Sequence, residues 1–197
     1  KLKTMKAWED DLSEPRANKL SMMAGMLNVS LLWLLSDKRN DAGLEDALRA
    51  LPPRSGFVFR HYHLEKSARR QRFAELTGLA RALGHTVILA GHEDWGADGH
   101  YGRPDRLGAG LRLATAHDAA ELAEAVAAQA DGIFLSPVFA TASHPGADTL
   151  GAAGFHALAR DSSVPVIALG GMNAARAREL AWPRWGAIDG LGSTKRA

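Results

Sequence analysis

The chain has 197 residues, 46% hydrophobic and 23% charged, enough for one domain with a substantial core and ordinary for a soluble globular protein. A formal net charge of +2 comes with no Lys/Arg block and no interleaved aromatics, which argues against nucleic acid and favours small anionic ligands. With no cysteine, disulfides, thiolate zinc sites and a thiol nucleophile are excluded, as expected of a cytoplasmic protein; the apolar run over 22–35 is too short and interrupted to span a membrane.

Residues 1–30 read as an extension. Charged residues over 1–11 suggest a short helix, Pro15 interrupts it, and an apolar, methionine-rich stretch follows at 20–27. Such a segment covers the base of a domain, makes a subunit contact in a homo-oligomer, or is a poorly ordered tail. From Leu31 onward strands and helices alternate in one domain, 31–197. Residues 32–37 read as a strand and 44–51 as a short helix stopped by Pro52-Pro53. Residues 56–62, rich in Val and Phe, predict the second strand. Phe73, Leu76, Ala80 and Leu83 lie at helical spacing within 67–83, closed by Gly84.

A third strand is expected at 86–90. Between Ala90 and Leu111 six glycines and Pro104 crowd the chain, so only a short strand near 97–102 is predicted, with loop elsewhere. Regularity returns with a strand at 111–115. Asp118 and Glu121 then mark a helix start, with Ala119, Leu122 and Val126 as its buried stripe. Strands at 132–139, 164–169 and 186–191 follow, with helices at 151–160 and 173–181, the second capped by Asn173. This alternation implies parallel strands. Eight strands imply a closed (β/α)8 TIM barrel. A usual barrel needs ~250 residues, so this one is compact, with helix 3 and helix 8 reduced or missing. An open doubly wound sheet would want a glycine-rich loop after its first strand, and Ser36-Asp37-Lys38-Arg39 is not one.

Candidate chemistry concentrates where strands end. Alternation puts Val58, Arg60 and Tyr62 on one face of strand two and Phe57, Phe59 and His61 on the other. The aromatic face should meet helices, so Arg60 points inward near the strand's end, where a guanidinium needs an anion or a core carboxylate. Gly170-Gly171 follows a strand and precedes a helix, the usual place for a phosphate cradle in barrels, although a tight turn alone also explains it. His61-x-His63 lacks a third metal ligand at informative spacing and reads as packing or surface histidines. His144, in Ser143-His144-Pro145-Gly146, sits on a loop at the same end as an acid/base or phosphate contact. Asp105 is a carboxylate able to anchor magnesium beside a phosphate, or alone a plain loop residue, and Asp37 at the end of strand one is equally ambiguous.

The order of these motifs resembles the thiamine phosphate synthase family and its TenI-type relatives, from Leu31 to Leu191. That resemblance implies the joining of 4-amino-2-methyl-5-hydroxymethylpyrimidine pyrophosphate to a thiazole phosphate with magnesium, releasing pyrophosphate through a dissociative step. The family's strand-two Arg-x-Lys resembles Arg60-His61-Tyr62, with Tyr62 in place of lysine. Its strand-three Asn-Asp falls at Ala90-Gly91. His-x-Gly-Gln-x-Asp resembles His100 to Asp105, with Arg103 for glutamine and Asp105 on the magnesium position.

The strand-five serine corresponds to Thr115, followed by His117. Gly-Pro-x-Phe-x-Thr then Thr-Lys resembles Ser136 to Thr141 then Ser143-His144, with His144 for the pyrophosphate lysine. Leu169-Gly170-Gly171 matches the phosphate loop, and Asp189 stands where a serine is usual. The resemblance thus implies catalytic roles for Arg60, Thr115 and His144. It implies substrate contacts from Tyr62, His100, Arg103, Ser136, Thr141, Gly170, Gly171 and Asp189. Arg103, His63 and His144 are candidates to replace lost cations, and Glu93 or Asp94 the lost metal ligand. Two other readings remain open: a TenI-type thiazole tautomerase using His144 as acid/base, and a non-catalytic barrel that binds a phosphorylated ligand. All three expect small phosphorylated molecules as partners, not nucleic acid or membrane.

Overall fold

A computed structural model describes residues 29–141, 146 and 148–191 of the chain. The extension expected at 1–30 lies almost wholly outside them, as does His144. Eight parallel strands close into a barrel in chain order: β1 (Leu32–Leu35), β2 (Gly56–Phe59), β3 (Thr86–Ala90), β4 (Gly99–Gly102), β5 (Leu111–Ala116), β6 (Gly132–Leu135), β7 (Val166–Ala168) and β8 (Trp185–Ala187). β8 pairs with β1 through Leu32–Trp185, Trp33–Gly186 and Leu34–Ala187, which completes the ring. Among the described residues five α-helices pack outside: α1 (Leu44–Ala50), α2 (Lys66–Ala82), α3 (Ala119–Ala127), α4 (Gly151–Ala159) and α5 (Ala174–Leu180).

The barrel interior holds Trp33, Leu35, Val58, Ile88, Tyr101, Leu113, Phe134 and Ile167, all buried. Trp33 is fully enclosed, meets Phe134 edge-on at 5.7 Å, and donates its indole N–H to Ser30 O at 2.8 Å. Its bulk explains a glycine on β2: a Cβ at Gly56 would sit 2.1 Å from the Trp33 ring. Outside, Phe57 and Phe59 pack with Leu44, Leu48, Phe73 and Leu76 beneath α1 and α2. The predicted two-faced pattern of strand two is therefore the observed one.

Several strands are shorter than the apolar runs that predict them. β2 stops at Phe59 because His61 turns into positive φ (36°), and β6 stops at Leu135, before a cis Ser136–Pro137 bond. On α3 the buried position is Ala125, with Leu122 and Val126 packed beside it. Ala119 is exposed, since it opens the first turn right after the Asp118 cap, whose carboxylate accepts from Glu121 N at 2.9 Å.

The largest departure from a regular barrel is between β3 and β5. No α-helix follows β3, and β4 is followed only by a single 3-10 turn at Pro104–Arg106, so helix 4 is missing as well as helix 3. Past β8 no helix forms through Leu191, and 192–197 lie outside the described residues. Side chains cover the gap that a helix would fill. Trp95 packs against Phe73 at 5.7 Å, and Arg81 on α2 donates to Gly96 O (2.6 Å) and Asp98 (2.8 Å). His100 points outward from β4 and ties the two loops together through Ala109 O (2.9 Å) and Glu93 O (3.4 Å).

Candidate active site

A cavity of about 780 Å³ opens at the carboxyl ends of the strands, the functional end of such barrels. Of the residues singled out in the sequence, Arg60, Tyr62, Arg103, Thr115, Ser136, Thr141, Gly170, Gly171 and Asp189 line it. His100 does not, because strand alternation turns it to the outside, where it is buried between loops. Asp105 does not either. It sits on the 3-10 turn, largely exposed, 3.3 Å from Arg103 and 3.9 Å from Arg106.

Arg60 is held by its backbone. Its N–H donates to Ser36 Oγ at 2.7 Å, and that fully buried hydroxyl lies 2.7 Å from His61 Nδ1. His61 Nε2 is 2.9 Å from Asp41 Oδ1. A carboxylate only accepts, so Nε2 carries the proton, Nδ1 accepts, and Ser36 donates to it. Burial holds the His61 pKa below its ordinary value despite Asp41, which keeps the ring neutral in this relay. The ring also stacks on Phe59 at 4.6 Å, so packing and hydrogen bonds offset the strain of its positive φ. The arrangement has the membership of a Ser-His-Asp triad, but Ser36 has no exposed surface and serves to fix Arg60. His61 is thereby occupied, and among the described residues no cluster of three or more His, Asp or Glu groups is placed to hold a metal.

The Arg60 side chain is 19% exposed. Its Nη2 lies 3.3 Å from Asp37, Tyr62 covers it at 5.7 Å, and its buried Nε–H has no acceptor among the described residues. Asp37 also pairs with Arg39 (3.0 Å), which reaches Asp189 at 3.2 Å. Burial pushes the Asp37 carboxyl up, but Arg39 and Arg60 outweigh it and hold the pKa below its ordinary value. Asp189 therefore meets a guanidinium before any ligand arrives. Arg39 is a participant that the sequence did not single out; its signal was only its place after strand one.

The opposite rim is backbone. Gly170 and Gly171 have φ of 91° and 63°, and a Cβ on Gly170 would stand 2.7 Å from Pro137 Cα. Phe139 N donates to Gly170 O, which locks the β6 turn to this loop. Among the described residues the N–H groups of Gly170, Gly171 and Gly190 donate to no protein acceptor, so this rim offers donors to an anion. Asn173 caps α5 through Ala175 N (3.0 Å) and Arg176 N (2.9 Å), as expected.

The family model described as thiamine monophosphate synthase matches residues 106–187. A thiamine-phosphate synthase from Chloroflexus aurantiacus is 30% identical over 136 residues, covering 62% of this chain and 63% of that protein, less than two thirds of its length. Over that stretch the chain is similar to the thiamine monophosphate synthase family. Two solved structures share the fold. A thiamine phosphate pyrophosphorylase from Pyrococcus furiosus superposes with a TM-score of 0.68 at 20% identity, over 82% of this chain and 87% of that one. A citrate synthase variant gives 0.53 at 14% identity, over 87% and 90%.

The family match begins after β4 and ends with β8, so it includes Gly170 and Gly171 but neither Gly190 nor the Arg60 side. On that side stand Ala90 and Gly91, where the sequence resemblance expects an Asn-Asp pair. The acid nearest in sequence, Glu93, is taken up by Arg69 at 3.3 Å, and its pKa stays low because that pairing and backbone hydrogen bonds outweigh burial. A magnesium ion does not fit at Asp105, whose carboxylate is outside the cavity and neutralised by two arginines.

Proposed function

We propose that this chain is a thiamine phosphate synthase-type transferase acting on two phosphorylated heterocycles in the one cavity. The observation that supports this reading is one cavity lined both by the Arg60 guanidinium, just past β2, and by the glycine rim after β7 and β8. A thiazole phosphate seats its phosphate on the Gly170, Gly171 and Gly190 amides, with Thr141 alongside. The pyrimidine pyrophosphate places its leaving group toward Arg60. Breaking the methylene C–O bond puts both electrons on the departing pyrophosphate, where the guanidinium stabilises the charge. The thiazole nitrogen then captures the cation, with Thr115 and Ser136 hydroxyls beside the reacting carbons and Leu169, Met172 and Ile188 limiting water. Incubation of the pure protein with both substrates should release thiamine phosphate and pyrophosphate in equal amounts. Absence of product above background at high enzyme concentration would sink this reading.

One observation favours a second reading, a tautomerase. His117 lines the cavity and its Nδ1 lies 2.7 Å from Glu121 Oε2. The Glu121 carboxylate also accepts from His117 N at 2.8 Å. The pair orients an imidazole with Nε2 available for proton transfer. Exchange of a thiazole ring proton with solvent deuterium, abolished in His117→Ala, would favour it over synthesis.

A further inference from the structure

Tyr101 is the cavity residue that neither the family motifs nor the Arg60 relay accounts for. It occupies the inward position of β4 next to His100, and it is 8% exposed. Its ring meets Phe134 edge-on at 5.2 Å, in the floor of the cavity. Its hydroxyl makes no hydrogen bond among the described residues, yet it is not among the sealed polar atoms. What remains of its exposure is therefore to the cavity it lines. A buried phenol that lacks a protein partner is costly unless a ligand or water meets it.

The register explains how the phenol comes to be there. Tyr101 pairs with Ala90 on β3, and both belong to the apolar interior of the barrel. Tyr101 and Arg60 line the same cavity.

We propose that Tyr101 donates a hydrogen bond to the oxyanion held by Arg60, so that a guanidinium and a neutral phenol together form the second anion pole without a metal. The ligand class is a phosphate or pyrophosphate oxygen; this rests on Arg60 contacting the leaving group as proposed above. Burial pushes the Tyr101 hydroxyl up to about 12, against the opposing pull of Arg60, so it stays protonated and able to donate at any physiological pH. The hydroxyl and the guanidinium supply complementary donors: one directional O–H and a planar fork.

The test is the affinity of the full chain for inorganic pyrophosphate and orthophosphate in EDTA, by calorimetry, for wild type and Tyr101→Phe. The variant keeps the ring against Phe134, and its thermal midpoint reports that it folds. The expected result is wild-type binding in EDTA and a loss of about tenfold in Tyr101→Phe, as for one hydrogen bond to a charged group. A loss under threefold, or wild-type binding only when magnesium is added, overturns the proposal. Binding with the expected loss but no thiamine phosphate formation would leave this pole standing and remove the synthase reading instead. Synthesis with unchanged pyrophosphate affinity in Tyr101→Phe would do the reverse.

Discussion

The two sides of this barrel are built by different means. From β5 to β8 helices alternate with strands, loops are locked by backbone hydrogen bonds, and glycines shape a rim of amides. From β2 to β4 two helices are missing and long polar side chains replace them: Arg69 and Arg81 from α2, His100 from β4, and the Ser36–His61–Asp41 relay. Backbone architecture at the rim tolerates little change, because a Cβ on Gly170, Gly171 or Gly190 would stand 2.7, 2.5 or 2.2 Å from a backbone atom. Side-chain bracing can be rewritten residue by residue. Tyr62, Ala90-Gly91 and Arg103 differ from the resembled motifs on the braced side, and His144 and Asp189 on the other.

The sharpest way to break this comparison is Arg69→Ala. Arg69 is 7% exposed, donates to Arg60 O at 2.9 Å and to Ala90 O, and pairs with Glu93 at 3.3 Å, with Trp95 stacked at 5.1 Å. Removing one member of such a buried set is expected to cost about 3–5 kcal/mol. Urea unfolding measures it, and a loss below about 1 kcal/mol would show that side-chain bracing does not hold this side.

On the backbone side, Gly170→Ala forces a Cβ to within 2.7 Å of Pro137 and into a φ of 91°. Its expected signature is a loss of thiazole phosphate affinity of about tenfold or more with only modest destabilisation, about 1–3 kcal/mol. Unchanged affinity would remove the rim from the site. Arg60→Gln should do the complementary thing. Pyrophosphate affinity falls about tenfold or more, as for a lost charge-assisted pair, while thiazole phosphate affinity changes less than about twofold.

Acid sharpens the contrast further. His61 has a folded pKa below 6.5, so as pH drops below that value the unfolded chain takes up a proton that the folded chain resists. Stability therefore falls with decreasing pH from about 6.5. Asp37, Asp41 and Glu93, all held below their ordinary values, extend the loss through the carboxylate range. His61→Gln should flatten the upper part of this slope, and a parallel slope in the variant would refute the assignment. The smallest effect is expected from Asp105→Asn, which should leave product formation within about twofold; a large loss of magnesium dependence would return Asp105 to the site.

Barrel and strand order were legible because alternating apolar runs and the caps at Asp118 and Asn173 are local signals. Arg60 was legible because inward alternation near a strand end leaves few alternatives, Gly170 because it stands between a strand and a helix, and Thr115 and Ser136 only through the family resemblance. His100 drew attention through its motif, and alternation on so short a strand points to its neighbour Tyr101 instead. Asp105 was placed by spacing, but the 3-10 turn swings it away from the axis. The Arg39–Asp189 bridge crosses the closing seam of the barrel, and the Arg69 clamp reaches Arg60, Ala90 and Glu93, 9, 21 and 24 residues away. Such pairings exist only once the ring is closed.

The central claim is that one cavity holds two anions at once. Calorimetric titration of pyrophosphate into the protein saturated with thiazole phosphate tests it directly. Two separated poles predict that pyrophosphate still binds, with an affinity within about threefold of that in the absence of thiazole phosphate. Mutually exclusive binding would mean a single shared anion site and would contradict it.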